Sequence, residues 1–231
     1  DFLELVYPKM VSLMEFCNGR RDEHGFLIGK EKTGLYRLAD MDKDGPLCAE
    51  QMLYAACFRV MAEISEKLGK DGSAYSQEYE KLAAAIEEFF WDEEKGAYID
   101  SFTSGKRNVT RHANIFAVLF AIADKDKQEK ILTNVLENDE IPAITTPYFN
   151  FFELDVLCQM GKLTEVLDKI RSYWGGMLDL GAITFWEEYD PSVPKEEQYD
   201  MYGDHFGKSL CHAWAASPIY FLAKYLPDWI S

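Results

Sequence analysis

Positive charge is scarce in this chain: its 231 residues hold 24 lysines and arginines against 40 aspartates and glutamates, a formal net charge of −16. A surface this acidic repels phosphate backbones and anionic lipid, so nucleic acid and membrane are poor partners and a neutral ligand is a better one. Long hydrophobic runs are also missing. The longest, Ile115 to Ala123, falls far short of a membrane span, and no signal-peptide pattern follows Asp1. Cysteine is sparse and odd in number. Cys17, Cys48, Cys57, Cys158 and Cys211 contain no Cys-x-x-Cys pair, and most lie in apolar stretches where a thiol behaves as a small hydrophobe. Cys48, Cys57, Cys158 and Cys211 are therefore expected to be free and largely buried. Free thiols favour a cytoplasmic location. The chain opens without methionine and already inside an amphipathic pattern, so Asp1 is not read as the natural start, and a periplasmic or secreted protein stays open. No Asp-Asp-x-x-Asp run occurs, which argues against terpene-cyclase chemistry on magnesium. Asp40-Met-Asp-Lys-Asp44 has the spacing of a calcium loop but neither the glycine at loop position six nor the glutamate at twelve, so no metal is assigned there.

What the chain does have is apolar content, 48% of residues, enough to give one domain of this length a core. Its periodicity is helical nearly throughout. Apolar positions at Phe2, Leu5, Val6, Met10, Leu13, Met14 and Cys17 predict a helix over 2–18, ended by Gly19. Residues 46–68 open on Pro46 and are apolar on most sides, through Met52, Leu53, Ala56, Val60 and Ile64. Further helices are predicted over 73–91, 112–123, 127–136, 146–160, 163–174 and 207–226, alternately apolar all round and amphipathic. The connections alternate as well. Longer irregular stretches, 19–45, 92–111, 137–145 and 175–206, lead into the apolar helices, and short links such as Gly161-Lys162 lead out. Inner and outer helices wound as an α/α toroid, with the long loops gathered at one end, account for this, whereas a plain α-solenoid would show a period in sequence and none is visible. The reading is a single all-α domain over 1–231.

Polar residues in those long loops and in the first turns of the apolar helices are the candidate site: Asp40, Asp42, Asp44, Glu50, Arg111, His112, Asn114, Thr145, Thr146, Tyr148, Glu187, Glu188 and His212. The densest chemistry is in Gly181-Ala-Ile-Thr-Phe-Trp-Glu-Glu-Tyr-Asp190, where Glu187 and Glu188 stand among Phe185, Trp186 and Tyr189. Aromatic faces stack on the apolar side of a pyranose, and a carboxylate beside them is partly desolvated and available for proton transfer. An acidic surface loop with its rings in the core has the same composition.

Gly181-Ala-Ile-Thr-Phe-Trp-Glu187 resembles the Gly-Ala-Thr-Thr-x-Trp-Glu stretch of the α-L-rhamnosidases of glycoside hydrolase family 78, with Ile183 in place of the first threonine. Lys208-Ser-Leu-Cys-His-Ala-Trp214 with Ser217-Pro-Ile-Tyr220 is similar to that family's closing helix. Leu38-Ala-Asp-Met-Asp-Lys-Asp-Gly45 with Cys48-Ala-Glu-Gln-Met52, and Thr110-Arg-His-Ala-Asn114, resemble earlier parts of the same domain. The resemblance covers nearly the whole chain. It implies an (α/α)6 six-hairpin toroid, incomplete here, with about eight of twelve helices. It also implies inverting hydrolysis of terminal α-L-rhamnosides, in which the glutamate after tryptophan, Glu187, is the general base. The two carboxyls of such an enzyme stand about 6.5 to 9.5 Å apart to admit the attacking water. Asp40, Asp42, Glu50, Phe185, Trp186, His112 and His212 are the implied substrate-binding residues; no cofactor is implied, and the partner is a rhamnosylated glycan or glycoside.

Two departures matter. Arg37-Leu38 stand where the family often has Asp-Trp, removing a sugar-contacting acid and a ring. The family's general acid lies in an Asp/Glu/Arg-rich motif that occurs nowhere between Asp1 and Ser231, so the acid is expected upstream, with Asp40 or Asp42 as the alternative. The chain reads as the later two thirds of a catalytic domain, its activity alone left open, with open ends that self-association could cover. Two other classes fit some of the residues. A non-catalytic carbohydrate-binding module would keep the rings and need no acid. A toroid epimerase would work through His112 and His212 and tolerate loss of Glu187.

Overall fold

The computed structural model describes residues 2–28 and 41–227, and Arg37, Leu38 and Asp40 lie outside them. The chain divides into two compact units, Asp1–Pro142 and Ala143–Ser231. The described residues are mostly helical. In the first unit α1 (Phe2–Asn18) precedes α2 (Cys48–Lys67) and α3 (Ser73–Phe90). A short hairpin of β1 (Trp91–Asp92) and β2 (Ala97–Tyr98) leads toward α4 (Arg111–Leu119) and α5 (Lys125–Ile131), which continues as a π-helical turn over Leu132–Leu136. The second unit holds α6 (Pro147–Gln159), then α7 (Leu163–Lys169) running through a π-helical stretch, Ile170–Trp174, into α8 (Gly175–Asp179), and finally α9 (Ser217–Tyr225).

Burial alternates as the periodicity predicts. Helix α2 buries Cys48, Met52, Tyr54, Phe58 and Met61 among others, whereas the α3 packed against it buries only Leu82, Ile86 and Phe90. Helix α4 is buried on most sides and so is α6, whose Pro147 occupies a first-turn position that needs no intrahelical N–H donor. The hairpin, unforeseen in the irregular stretch 92–111, has a local cause. Asp92 accepts hydrogen bonds from the backbone N–H groups of Glu94 and Lys95, and Gly96 takes φ +58°, so the chain reverses within four residues of β1.

One device recurs where each deep helix begins. Gln51, Asn114 and Asn150 each stand fourth in α2, α4 and α6, and each is fully buried. Each side-chain amide nitrogen donates to the carbonyl four residues back, Leu47, Thr110 or Thr146. Each also donates to the preceding loop, at Leu27, Tyr98 or Ile144, at 3.0–3.1 Å. Gln51 and Asn114 also accept from the N–H of that same loop residue, at 2.7 and 2.9 Å. A primary amide supplies both donors and acceptors, so one side chain satisfies loop backbone that burial would otherwise leave unpaired. Asn114 is thus a structural clamp holding β2 to α4.

Two expectations are corrected. The helix expected over 207–226 begins only at Ser217, after a 3₁₀ turn at Ala213–Ala215; Pro218 in its first turn marks the true start, and residues 207–212 find backbone partners elsewhere. Cys57 and Cys211 are exposed, while Cys48 and Cys158 are buried and Cys17 is half-buried. Cys57 shares a face of α2 with Leu53 and Val60, 49% and 42% exposed, and Cys211 sits in the non-helical segment. Burial pushes the Cys48 thiol well up and, with Asp155, the Cys158 thiol to about 11. Brief native labelling of the 231-residue chain at pH 8 is therefore expected to modify Cys211 and Cys57 while sparing Cys48 and Cys158, which react only after denaturation. Mass mapping of the labelled peptides checks this.

Candidate functional site

The segment 207–212 runs beside 184–187 and pairs with it as a strand would. The Ser209 carbonyl accepts from Glu187 N–H at 2.9 Å, Phe185 carbonyl accepts from His212 N–H at 2.7 Å, and the Thr184 hydroxyl donates to the Leu210 carbonyl. Neither segment has regular secondary structure, so these bonds replace those a helix would have supplied. Their consequence is chemical: residues about twenty apart in sequence arrive around one carboxylate.

That carboxylate is Glu187, whose side chain is 11% exposed. Its Oε2 accepts from Ser209 N–H at 3.1 Å and its Oε1 from the Tyr202 hydroxyl at 3.0 Å. His212 Nδ1 stands 3.8 Å from Oε2, and the His212 ring lies against Trp214 with centroids 4.1 Å apart. Trp214 in turn packs beside Tyr148, 5.2 Å away. Each carboxylate oxygen carries two acceptor positions, so two donors hold Glu187 in place and leave room for a further hydrogen bond at each end. The group can accept a proton from a water bound there.

Glu188 is turned to other partners. Its Oε1 accepts from the Thr145 hydroxyl at 2.9 Å, and Thr145 carbonyl accepts from Tyr189 N–H and from the Tyr173 hydroxyl. Lys208 is buried near both glutamates. Burial lowers its pKa, while the fields of Glu188, Asp190, Asp200 and Glu187 act to raise it.

Of the residues named from sequence, Phe185, Trp186, Glu187 and His212 come together here. Trp186, expected to offer its ring to a sugar, is 3% exposed and meets Tyr199 edge to face. The exposed rings of this region are instead Tyr202, Phe206 and Trp214. Tyr202, Ser209 and Lys208 were missed as site residues. A turn signal was available in Tyr202-Gly203, but nothing in sequence says that the turn reaches Glu187.

Of the remaining candidates, Thr145, Thr146, Tyr148 and Glu188 lie in the second unit with Glu187, and Asp42, Asp44, Glu50, Arg111, His112 and Asn114 belong to the first. Asp42 is buried, with its carboxylate taken up by the Ser104 hydroxyl, Asp44 N–H and Lys106. Burial alone would raise its pKa, and these three groups outweigh it and hold it low. Asp42 N–H donates to Asp100, which also accepts from Asn108 and Thr110, so Asp42 braces the loop ahead of α2 against residues 100–110. Glu50 is exposed on the first turn of α2, and His112 is half-buried on the first turn of α4. Among the described residues no group of three or more His, Cys, Asp or Glu is arranged to hold a metal ion, and no described helix is long and apolar enough to cross a membrane.

Comparison with solved structures gives a rhamnosidase from Klebsiella oxytoca with rhamnose bound, at 26% identity and TM-score 0.79 over 95% of this chain and 42% of that one. The glycoside hydrolase family 78 rhamnosidase of Bacillus sp. GL1 is similar at 25% identity and TM-score 0.82, over 96% of this chain and 24% of that one. An α-L-rhamnosidase of Streptomyces avermitilis complexed with L-rhamnose shares the fold at 16% identity and TM-score 0.69, over 96% of this chain and 21% of that one. The chain thus spans less than half the length of each of these proteins. No curated protein matches it. The family described as bacterial alpha-L-rhamnosidase 6 hairpin glycosidase domain matches residues 1–226, and with the helical fold and the Trp-Glu segment in place, the chain belongs to that family of six-hairpin glycosidases.

Proposed function

We propose that these residues form part of an inverting α-L-rhamnosidase in which Glu187 is the general base. The observation that carries this is the Glu187 carboxylate itself, nearly buried, fixed by Tyr202 and Ser209 and adjacent to His212. Family membership and the likeness to the Klebsiella protein with rhamnose bound support the substrate class.

In the proposed step a water approaches the anomeric carbon on the face opposite the glycosidic oxygen. Glu187 takes a proton from that water as its oxygen bonds to the carbon, the bond to the leaving oxygen breaks, and a carboxylic acid protonates that oxygen. Glu187 supplies the base; the motif that carries the family's acid does not occur in these 231 residues. His212 hydrogen bonds a sugar hydroxyl, and the exposed rings of Trp214 and Tyr202 supply the apolar contacts that the buried Trp186 does not.

The stereochemistry tests the mechanism. With the full-length protein and an aryl α-L-rhamnoside, early proton NMR spectra are expected to show β-rhamnose first, with the α anomer growing in by mutarotation. Release of α-rhamnose first would require a covalent intermediate and remove Glu187 from the role of base. Absence of turnover in the full-length protein would favour a carbohydrate-binding module.

A further inference from the structure

The loop that brings the second donor to Glu187 holds an unusual backbone. Met201 and Asp204 form an isolated antiparallel bridge, each N–H donating to the other's carbonyl at 3.0 Å. The two residues between them, Tyr202 and Gly203, have φ +57° and +83°. A two-residue hairpin with both central residues left-handed strongly favours asparagine, aspartate or glycine in the first position. A tyrosine there is strained. Burial does not account for it, because Tyr202 is 79% exposed. Among the described residues its side chain bonds through the hydroxyl, to Glu187 Oε1.

Strained backbone that the core does not require is often retained for a functional contact. We propose that Tyr202 is a positioning residue for Glu187: the left-handed turn delivers its hydroxyl to Oε1 and, with Ser209 N–H on Oε2, sets the plane of the carboxylate. This rests on Glu187 being the base. The other charged or titratable groups facing Glu187 are His212, 3.8 Å from Oε2, buried Lys208, and Glu188 on the neighbouring residue. The phenol stays protonated and donating, since its bond to the Glu187 carboxylate raises its own pKa. Without the Tyr202 hydroxyl the carboxylate keeps one donor and can turn out of the plane that meets the water, so the loss falls on kcat and not on KM.

The test compares Tyr202→Phe, Tyr202→Asn and Glu187→Gln in the full-length protein, reading kcat and KM separately on an aryl α-L-rhamnoside, with Tm alongside. Tyr202→Phe keeps the ring and loses only the hydroxyl. It is expected to lower kcat about tenfold, the scale of one hydrogen bond to a charged group, with KM and Tm little changed. Tyr202→Asn relaxes the left-handed strain, so it should raise Tm while lowering kcat at least as much. A purely structural tyrosine would leave kcat unchanged in Tyr202→Phe. If Glu187→Gln abolishes turnover but Tyr202→Phe keeps the wild-type kcat, Tyr202 does not position the base and Glu187 retains its role. If Glu187→Gln keeps near-normal turnover, the general-base reading itself fails, and the role of Tyr202 with it.

Discussion

Glu187→Gln in the full-length protein is expected to lower kcat by about 10² to 10⁴, the usual contribution of general-base catalysis, with little change in KM where chemistry is slow. Glutamine is a close test because it keeps the shape of the site. Its carbonyl can accept from Ser209 N–H as Oε2 now does, and its amide can donate to the Tyr202 oxygen, so the fold around 184–187 and 207–212 has no reason to change. What it lacks is a lone pair basic enough to take a proton from water. Glu188→Gln is the paired control. That side chain accepts from the Thr145 hydroxyl, a bond that the glutamine carbonyl keeps, so the variant loses only the charge assistance of one hydrogen bond and kcat should fall roughly fivefold or less. Steady-state kinetics on an aryl α-L-rhamnoside decide between them. If the two variants rank in the opposite order, the base is misassigned. Near-normal turnover in Glu187→Gln together with an inactive His212→Ala would favour an epimerase-like reaction through the histidines.

Asn114→Ala is expected to destabilise the protein by about 3 kcal/mol, the cost of leaving buried backbone groups without partners and opening a small cavity. Asn114 is fully buried, accepts from Tyr98 N–H and donates to the carbonyls of Tyr98 and Thr110. Alanine removes all three bonds, and water has no ready route to replace them. For a chain of this size, such a loss lowers Tm by about 6 to 12 °C. Asn114→Asp should be no better, since it keeps the acceptor for Tyr98 N–H but faces two carbonyls with a buried negative charge. Asn134→Ala supplies the comparison, because Asn134 is exposed and donates once, to the Lys95 carbonyl at 3.1 Å; about 1 kcal/mol or less is expected there. Thermal or denaturant unfolding of the three variants measures this, and equal midpoints for Asn114→Ala and Asn134→Ala would show that the clamp carries no stability of its own.

The helices were legible because their information is local. Apolar spacing places 2–18, 73–91 and 163–174 within a few residues of α1, α3 and α7 with its π-helical extension, and Pro147 marks the start of α6 from its own fixed φ. Alternation of all-apolar and amphipathic helices was equally visible, since burial demands it of any sequence that folds this way. The Trp-Glu segment could be picked out because carboxylates among rings are an uncommon composition for a loop, and its resemblance to the rhamnosidases extended to the family that the chain matches.

What sequence could not supply is every feature that depends on a partner distant along the chain. Residues 207–212 have enough apolar character to read as the start of a helix, and only their pairing with 184–187 makes them extended, because backbone N–H and carbonyl groups go wherever a partner is held for them. The burial of Trp186 follows from Tyr199 lying against it, and the separate partners of Glu187 and Glu188 from where Ser209, Tyr202 and Thr145 are held. The same is true of the clamp residues. Gln51, Asn114 and Asn150 look like unrelated polar residues in sequence, and Asn114 in particular reads as a site candidate. Their shared register becomes visible only once each loop is folded back on the helix it precedes. Sequence determined which segments coil and which residues could carry the chemistry; tertiary structure determined which of those residues meet, since hydrogen bonds and contacts between distant segments leave no period in the chain.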